Sequence, residues 1–152
     1  MDKVNRDFRD LFSSFVARDV RFLVVGAYAV TYHSRPRYTK DIDLWIDPSP
    51  DNATRAFAAL ADFGAPLTDV RAADLATRGT IFQIGVEPNR ADILTECQGL
   101  EFGPCWARRV PSTYDGVPIA YLSREDLMHN KALVGRPKDL DDLDALRKYR
   151  PK

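Results

Sequence analysis

Cysteine, histidine and surplus charge are all scarce in this chain. Its two cysteines, Cys97 and Cys105, form no Cys-x-x-Cys pair, and its two histidines, His33 and His129, are too few for an obvious zinc site. Both thiols therefore read as free, in a reducing compartment. Lysine plus arginine and aspartate plus glutamate balance at 22 each, so bulk charge gives no support for a protein that coats nucleic acid, although a local basic patch stays open. Long apolar runs are also missing. The longest, Phe22 to Val30, is broken by Gly26 and is too short to span a bilayer. The charged stretch Met1 to Asp10 lacks the apolar centre of a signal peptide. These absences favour a cytoplasmic enzyme or binding protein with no membrane segment. What is present is ordinary globular composition, 45% hydrophobic and 29% charged over 152 residues, enough for one domain with a real core.

Periodicity gives the elements. Phe8, Leu11, Phe12 and Phe15 form one stripe of a helix from about Val4 to Ala17. Arg21 to Gly26 reads as a buried strand, followed at once by a helix, Ala27 to Ser34, and by a loop at Arg35-Pro36-Arg37. Beyond a strand from Asp41, Pro48 and Pro50 act as stops. Asp51 or Asn52 then caps a helix to about Phe63, ended by Gly64 and Pro66. A short helical piece is expected over Asp69 to Thr77. Two strands, Thr80 to Val86 and Arg90 to Leu94, flank a turn at Glu87-Pro88-Asn89. Residues 97–116 read as irregular, and Val117 to Leu122 as a last strand after the Asp115-Gly116 turn. Ser123 caps a helix to Val134, and Pro137 opens a final helix with Leu140, Leu143 and Leu146 as its stripe. The chain reads as a single α/β unit of the α+β type: a core over about 1–122 and a helical pair over about 123–150.

The stretch Asp41-Ile42-Asp43-Leu44-Trp45-Ile46-Asp47 carries the chemistry. In a strand, side chains alternate faces, so Ile42, Leu44 and Ile46 can join a core while Asp41 and Asp43 stand together on the other side, about 7 Å apart. Like charges at that spacing repel unless something neutralises them, and a divalent cation is the obvious candidate. Upstream, the helix after Gly26 offers free backbone N–H groups of the kind that bind phosphate. Downstream, Asp92 sits in a strand whose neighbours Ala91 and Ile93 face the opposite way. Three carboxylates beside such a helix end suit Mg²⁺, which keeps few protein ligands and completes its shell with water and substrate phosphates. Two such ions and a nucleoside triphosphate (NTP) would fit this equipment.

Gly26-Ala27, a helix and then Asp41-Ile42-Asp43 resemble the signature of the DNA polymerase β-type nucleotidyltransferase superfamily, with Asp92 where the third carboxylate is expected. Arg37-Tyr38-Thr39-Lys40 ahead of the acidic pair, and the run from Leu127 through Lys131, Arg136, Lys138-Asp139 and Asp142-Leu143, are similar to the small bacterial group related to AbiEii-type toxins. The resemblance implies a nucleotidyltransferase core with a small mixed or antiparallel sheet flanked by helices. It implies transfer of a nucleoside monophosphate (NMP) from an NTP to a protein or RNA acceptor, in a toxin–antitoxin or phage-defence setting with a cognate antitoxin. Asp41, Asp43 and Asp92 would be the catalytic, metal-holding residues. Gly26, Ala27, Arg37, Thr39 and Lys131 would bind the nucleotide. Ala27 departs from the family's Gly or Ser and removes a side-chain hydroxyl, at a cost of about 1 kcal/mol in triphosphate binding for one hydrogen bond. Two rival readings stand beside this one. One is a degenerate member that binds nucleotide, RNA or a partner without turnover. The other is an antibiotic nucleotidyltransferase, for which so short a chain leaves little room for an acceptor domain unless a homodimer supplies the missing wall.

Bland roles compete for the remaining residues. His33 reads as a packed core histidine and His129 as a surface one. Trp45 reads as packing under a neighbouring helix. The aspartates of the last helix read as complementing its dipole, with Asp139 able to orient Lys131 or Arg136.

Overall fold

A computed structural model describes residues 5–35, 41–86 and 89–150. Helix α1 (Arg6–Ala17) is capped by Asn5, whose side chain accepts from the Phe8 amide, and it buries the predicted Phe8, Leu11, Phe12 and Phe15 stripe. Strand β1 (Phe22–Val25) leads directly into α2 (Gly26–His33), and β2 (Asp41–Ile46) into α3 (Pro50–Phe63). A 3₁₀ turn (Ala72–Ala76) precedes β3 (Ile81–Ile84) and β4 (Arg90–Leu94). The chain then forms α4 (Phe102–Ala107), β5 (Val110–Tyr114), β6 (Val117–Tyr121), α5 (Arg124–Val134) and α6 (Pro137–Lys148).

Among the described residues the strands make one six-stranded mixed sheet in the order β3-β4-β2-β1-β6-β5. Strand β2 runs antiparallel to β1 and parallel to β4. Alternation along β1 and β2 supplies two cores. Phe22, Val24, Ile42, Leu44 and Ile46 pack with α1 and α3 on one face. Leu23, Val25 and Trp45 pack with Ala29, Val30, Phe102, Leu127 and Leu146 on the other. The acidic end of β2 therefore lies on the face that α2, α4, α5 and α6 partly cover. Trp45 is buried edge-on against Phe102 of α4, with ring centroids 5.1 Å apart.

Several expectations need correction. Residues 97–116 are not irregular. Pro104 sits in the first turn of α4, where its missing N–H costs nothing. Pro111 lies in β5, an edge strand, where it need not donate to a second neighbour. Pro50 is no stop but the first residue of α3, and Ser49 is the N-cap. Leu140 is 49% exposed. The buried stripe of α6 is instead Asp139, Asp142, Leu143 and Leu146, a true i, i+3, i+4, i+7 pattern whose first two members are acids.

Asn52, fully buried, is a joint rather than a cap. Its carbonyl accepts from the Arg21 amide at 2.8 Å, and its amide donates to Asp47 O at 2.8 Å and Arg21 O at 3.1 Å. These bonds tie the start of β1 to the end of β2. Asn52→Ala leaves buried backbone groups unpaired, and chemical denaturation is expected to show a loss of about 2–4 kcal/mol.

Candidate active site

The register of the sheet assembles the acidic group. In the parallel β2–β4 pair, Asp43 stands opposite Asp92 and Asp41 opposite Arg90. In the β1–β2 pair, Asp43 stands opposite Val25, the last residue before the glycine turn. Gly26 has a φ of +66°, and a Cβ built on it would collide with Oδ2 of Asp43 and come within 3.1 Å of its Cγ. Glycine is thus required twice here, for the left-handed backbone and for the close approach of the carboxylate. The structure brings Gly26, Asp41, Asp43 and Asp92 to one end of the sheet, with Ala27 next in the same turn. Arg37 and Thr39 lie outside the described residues.

Lys131 of α5 faces the same space. Val25, Gly26, Asp43, Cys97, Lys131, Arg136 and Asp139 are among the residues lining a cavity of about 410 Å³. Lys131 is not an exposed helix lysine. It is buried, 3.0 Å from an oxygen of Asp142 and 3.4 Å from one of Asp139. Arg136 donates to Asp139 at 2.7 Å, and that bond is the leading cause that holds the Asp139 carboxyl down to about 2. Asp139 and Asp142 thus fix cations beside the cavity, Asp139 holding both Lys131 and Arg136 as expected and Asp142 adding a second contact to Lys131. Cys97 in the cavity wall is a free, buried thiol whose pKa burial pushes up to about 12, so it is no nucleophile at neutral pH. His33 is buried, its Nε2 2.8 Å from Leu122 O.

Asp43 bears the strain of this arrangement. Burial first, then the neighbouring Asp92 and Asp41, push its carboxyl up to about 6, while Lys131 and Arg90 pull the other way. Oδ1 of Asp41 is buried and has no hydrogen-bond partner among the described residues. Among the described residues no three His, Cys, Asp or Glu side chains close into a cage for a metal ion. The donor set nevertheless fits a hard divalent cation. Its oxygens are carboxylate, one is orphaned, another is crowded by like charge, and such an ion draws much of its shell from water and phosphate. Asp92 has both oxygens engaged by Arg90, at 3.2 Å to Nε and 3.1 Å to Nη2. Sequence reasoning passed over Arg90. Its signal was an arginine two residues before Asp92 in a strand, hence on the same face.

A mixed sheet that sets carboxylates of two adjacent strands against a glycine turn has the architecture of a nucleotidyl-transfer enzyme. Residues 4–152 match the family described as "Nucleotidyl transferase of unknown function (DUF2204)", and the chain belongs to that family. No curated protein sequence matches it. Among solved structures, it is similar to the lincomycin-bound lincosamide antibiotic adenylyltransferase LnuA, with a TM-score of 0.60 and 16% identity over 97% of this chain and 99% of that one. It is also similar to a Thermotoga maritima protein provisionally classed as a nucleotidyltransferase, with a TM-score of 0.63 and 16% identity over 91% and 89% of the two chains. A third is the antibiotic-resistance factor ANT(2'')-Ia, with a TM-score of 0.59 and 14% identity over 93% and 80%. At these identities the likeness is one of fold. Among the described residues no helix is long and apolar enough to cross a membrane.

Proposed function

We propose that this protein moves an NMP from an NTP to a hydroxyl of a protein or RNA acceptor with Mg²⁺. The observation that carries the reading is the pressing of Asp43 against the Gly26 turn, with Asp92 in register beside it and Lys131 across the cavity. Asp41 and Asp43, with Asp92 completing a second position, would hold Mg²⁺, which when bound offsets charge on the transferring phosphoryl group and its leaving pyrophosphate. The amides that follow Gly26 and the ammonium of Lys131 would hold the triphosphate from two sides, with Arg37 and Thr39 as further contacts. Asp92 would also accept the proton of the attacking hydroxyl.

The open cavity of about 410 Å³ between Gly26, Asp43 and Lys131 has room for the triphosphate, and the macromolecular acceptor is proposed on the resemblance. The acceptor then approaches over the exposed rim formed by Gly79, Ile81, Gln98 and Arg136. A toxin–antitoxin or phage-defence setting is part of this proposal on the resemblance to the AbiEii-related group alone. An antitoxin seated on that rim would block the acceptor, and a homodimer would add a wall to it.

One observation favours a small acceptor instead. The chain spans nearly the whole of LnuA, an antibiotic adenylyltransferase, so shortness alone does not argue against a small-molecule substrate. The two readings separate when α-labelled NTPs and Mg²⁺ are incubated with the protein and a whole-cell extract. Label is expected in the acid-precipitated macromolecules, with stoichiometric pyrophosphate release. Label confined to the acid-soluble fraction favours the small acceptor, and no label above an Asp43→Asn control overturns both.

A further inference from the structure

Four side chains share the acidic end of the sheet, and one of them is a cation. Arg90 and Asp92 stand two residues apart on β4, opposite Asp41 and Asp43 on β2. The Arg90 guanidinium spans the group. Nε and Nη2 donate to the two oxygens of Asp92 at 3.2 and 3.1 Å, and Nη1 lies 3.9 Å from Oδ2 of Asp41. Gln83, paired with Asp92 across the β3–β4 ladder, completes the grip. In the amide orientation that satisfies its hydrogen bonds, its carbonyl accepts from Nη1 at 3.2 Å and lies 2.6 Å from Nε, sharing the single Nε hydrogen with Asp92. The Asp92 side chain is only 13% exposed and that of Arg90 33%. A bidentate, partly buried guanidinium–carboxylate pair is among the stronger contacts a protein makes, and here it takes both oxygens of the third carboxylate.

We infer that Arg90 is an exchangeable counter-ion of the acidic group, which must leave Asp92 before Asp92 can ligate a cation and which then pairs with the triphosphate. The inference rests on the proposed metal and nucleotide site and adds to it an order of events. Asp41, Asp43 and Asp92 carry three formal negative charges and Arg90 one positive charge, so the group is partly neutralised before any ligand arrives. A divalent cation competes with the guanidinium for Asp92. A nucleotide phosphate relieves that competition by offering Arg90 a second anion of matching geometry. Cation and nucleotide therefore load together, and the cation alone binds weakly. Before the nucleotide arrives the arginine acts through Asp92, and afterwards it binds the phosphate directly.

Binding of Mn²⁺, followed by electron paramagnetic resonance with and without a non-hydrolysable NTP analogue, tests this without turnover. In wild-type protein Mn²⁺ alone is expected to bind weakly and the analogue to tighten it. Arg90→Gln removes the competitor, so Mn²⁺ alone should bind about tenfold more tightly, with most of the extra tightening by the analogue lost. Gln83→Ala, on an exposed edge-strand position, loosens only the grip on the guanidinium and should give about a two- to threefold gain. A gain in affinity is not an effect that a damaged fold produces. If Arg90→Gln and Gln83→Ala both bind Mn²⁺ as wild type does while Asp43→Asn does not bind it, the counter-ion role is overturned and the metal site stands. If Asp43→Asn binds as wild type does, the metal site itself is overturned, and the inference with it.

Discussion

Asp43→Asn is expected to lose turnover and gain stability. On the proposed mechanism, in which Asp43 would hold Mg²⁺ beside the phosphates, its loss should lower pyrophosphate release by about 10³-fold. The same change takes a buried negative charge away from two others. The carboxyl is pushed up to about 6 from an ordinary 3.8. Between those values the folded protein holds a proton that the unfolded chain has released, so stability falls as pH rises through that window and the penalty is complete above it. Asparagine carries no such penalty. Without Mg²⁺, the variant should be more stable than wild type at pH 7.5 by on the order of 2 kcal/mol, and the two should converge near pH 4. Thermal melts across that range decide the matter. A variant that is less stable at pH 7.5, or one whose difference does not depend on pH, contradicts the picture of crowded carboxylates.

Gly26→Ala should fail in the opposite sense, losing both properties together. A methyl group at this position meets the Asp43 carboxylate and forces a residue with a Cβ into a left-handed backbone. The strain alone is worth about 1–3 kcal/mol. Either the turn or the carboxylate must move, and a displacement of about 1 Å at a catalytic group costs on the order of a hundredfold in rate. The expected signature is a fall in kcat with a lower melting temperature. Unchanged kcat in a destabilised variant would reduce Gly26 to a folding turn.

What was legible in the sequence was local. The alternation of Asp41-Ile42-Asp43-Leu44 set both faces of β2, the glycine marked the turn, and Ala91 and Ile93 placed Asp92 on the opposite face of β4. Partnership between distant segments was not legible. Asp139 was the exception, its pairing with Lys131 and with Arg136 three residues before it being expected, whereas Asp142 looks like a surface acid because its partner, Lys131, comes from α5. With those cations supplied, acids occupy buried helix positions that a hydrophobic pattern assigns to leucine, and Leu140 is left outside. In α4 and β5 the prolines read as breakers because first turns and sheet edges, where they are tolerated, show only in three dimensions. Arg90 was overlooked because an arginine at a strand's start reads as solvated charge until Gln83, Asp41 and Asp92 close around it.

Strand β2 has no idle side. Asp41 and Asp43 answer to the proposed metal site, Trp45 to the packing beneath α4, and Ile42, Leu44 and Ile46 to the opposite core. Most half-buried strands present one row of positions that can drift freely while the other row holds the fold. Here both rows are spoken for, so substitutions in this chain are expected to be tolerated in the helices and at the sheet edges before they are tolerated along β2.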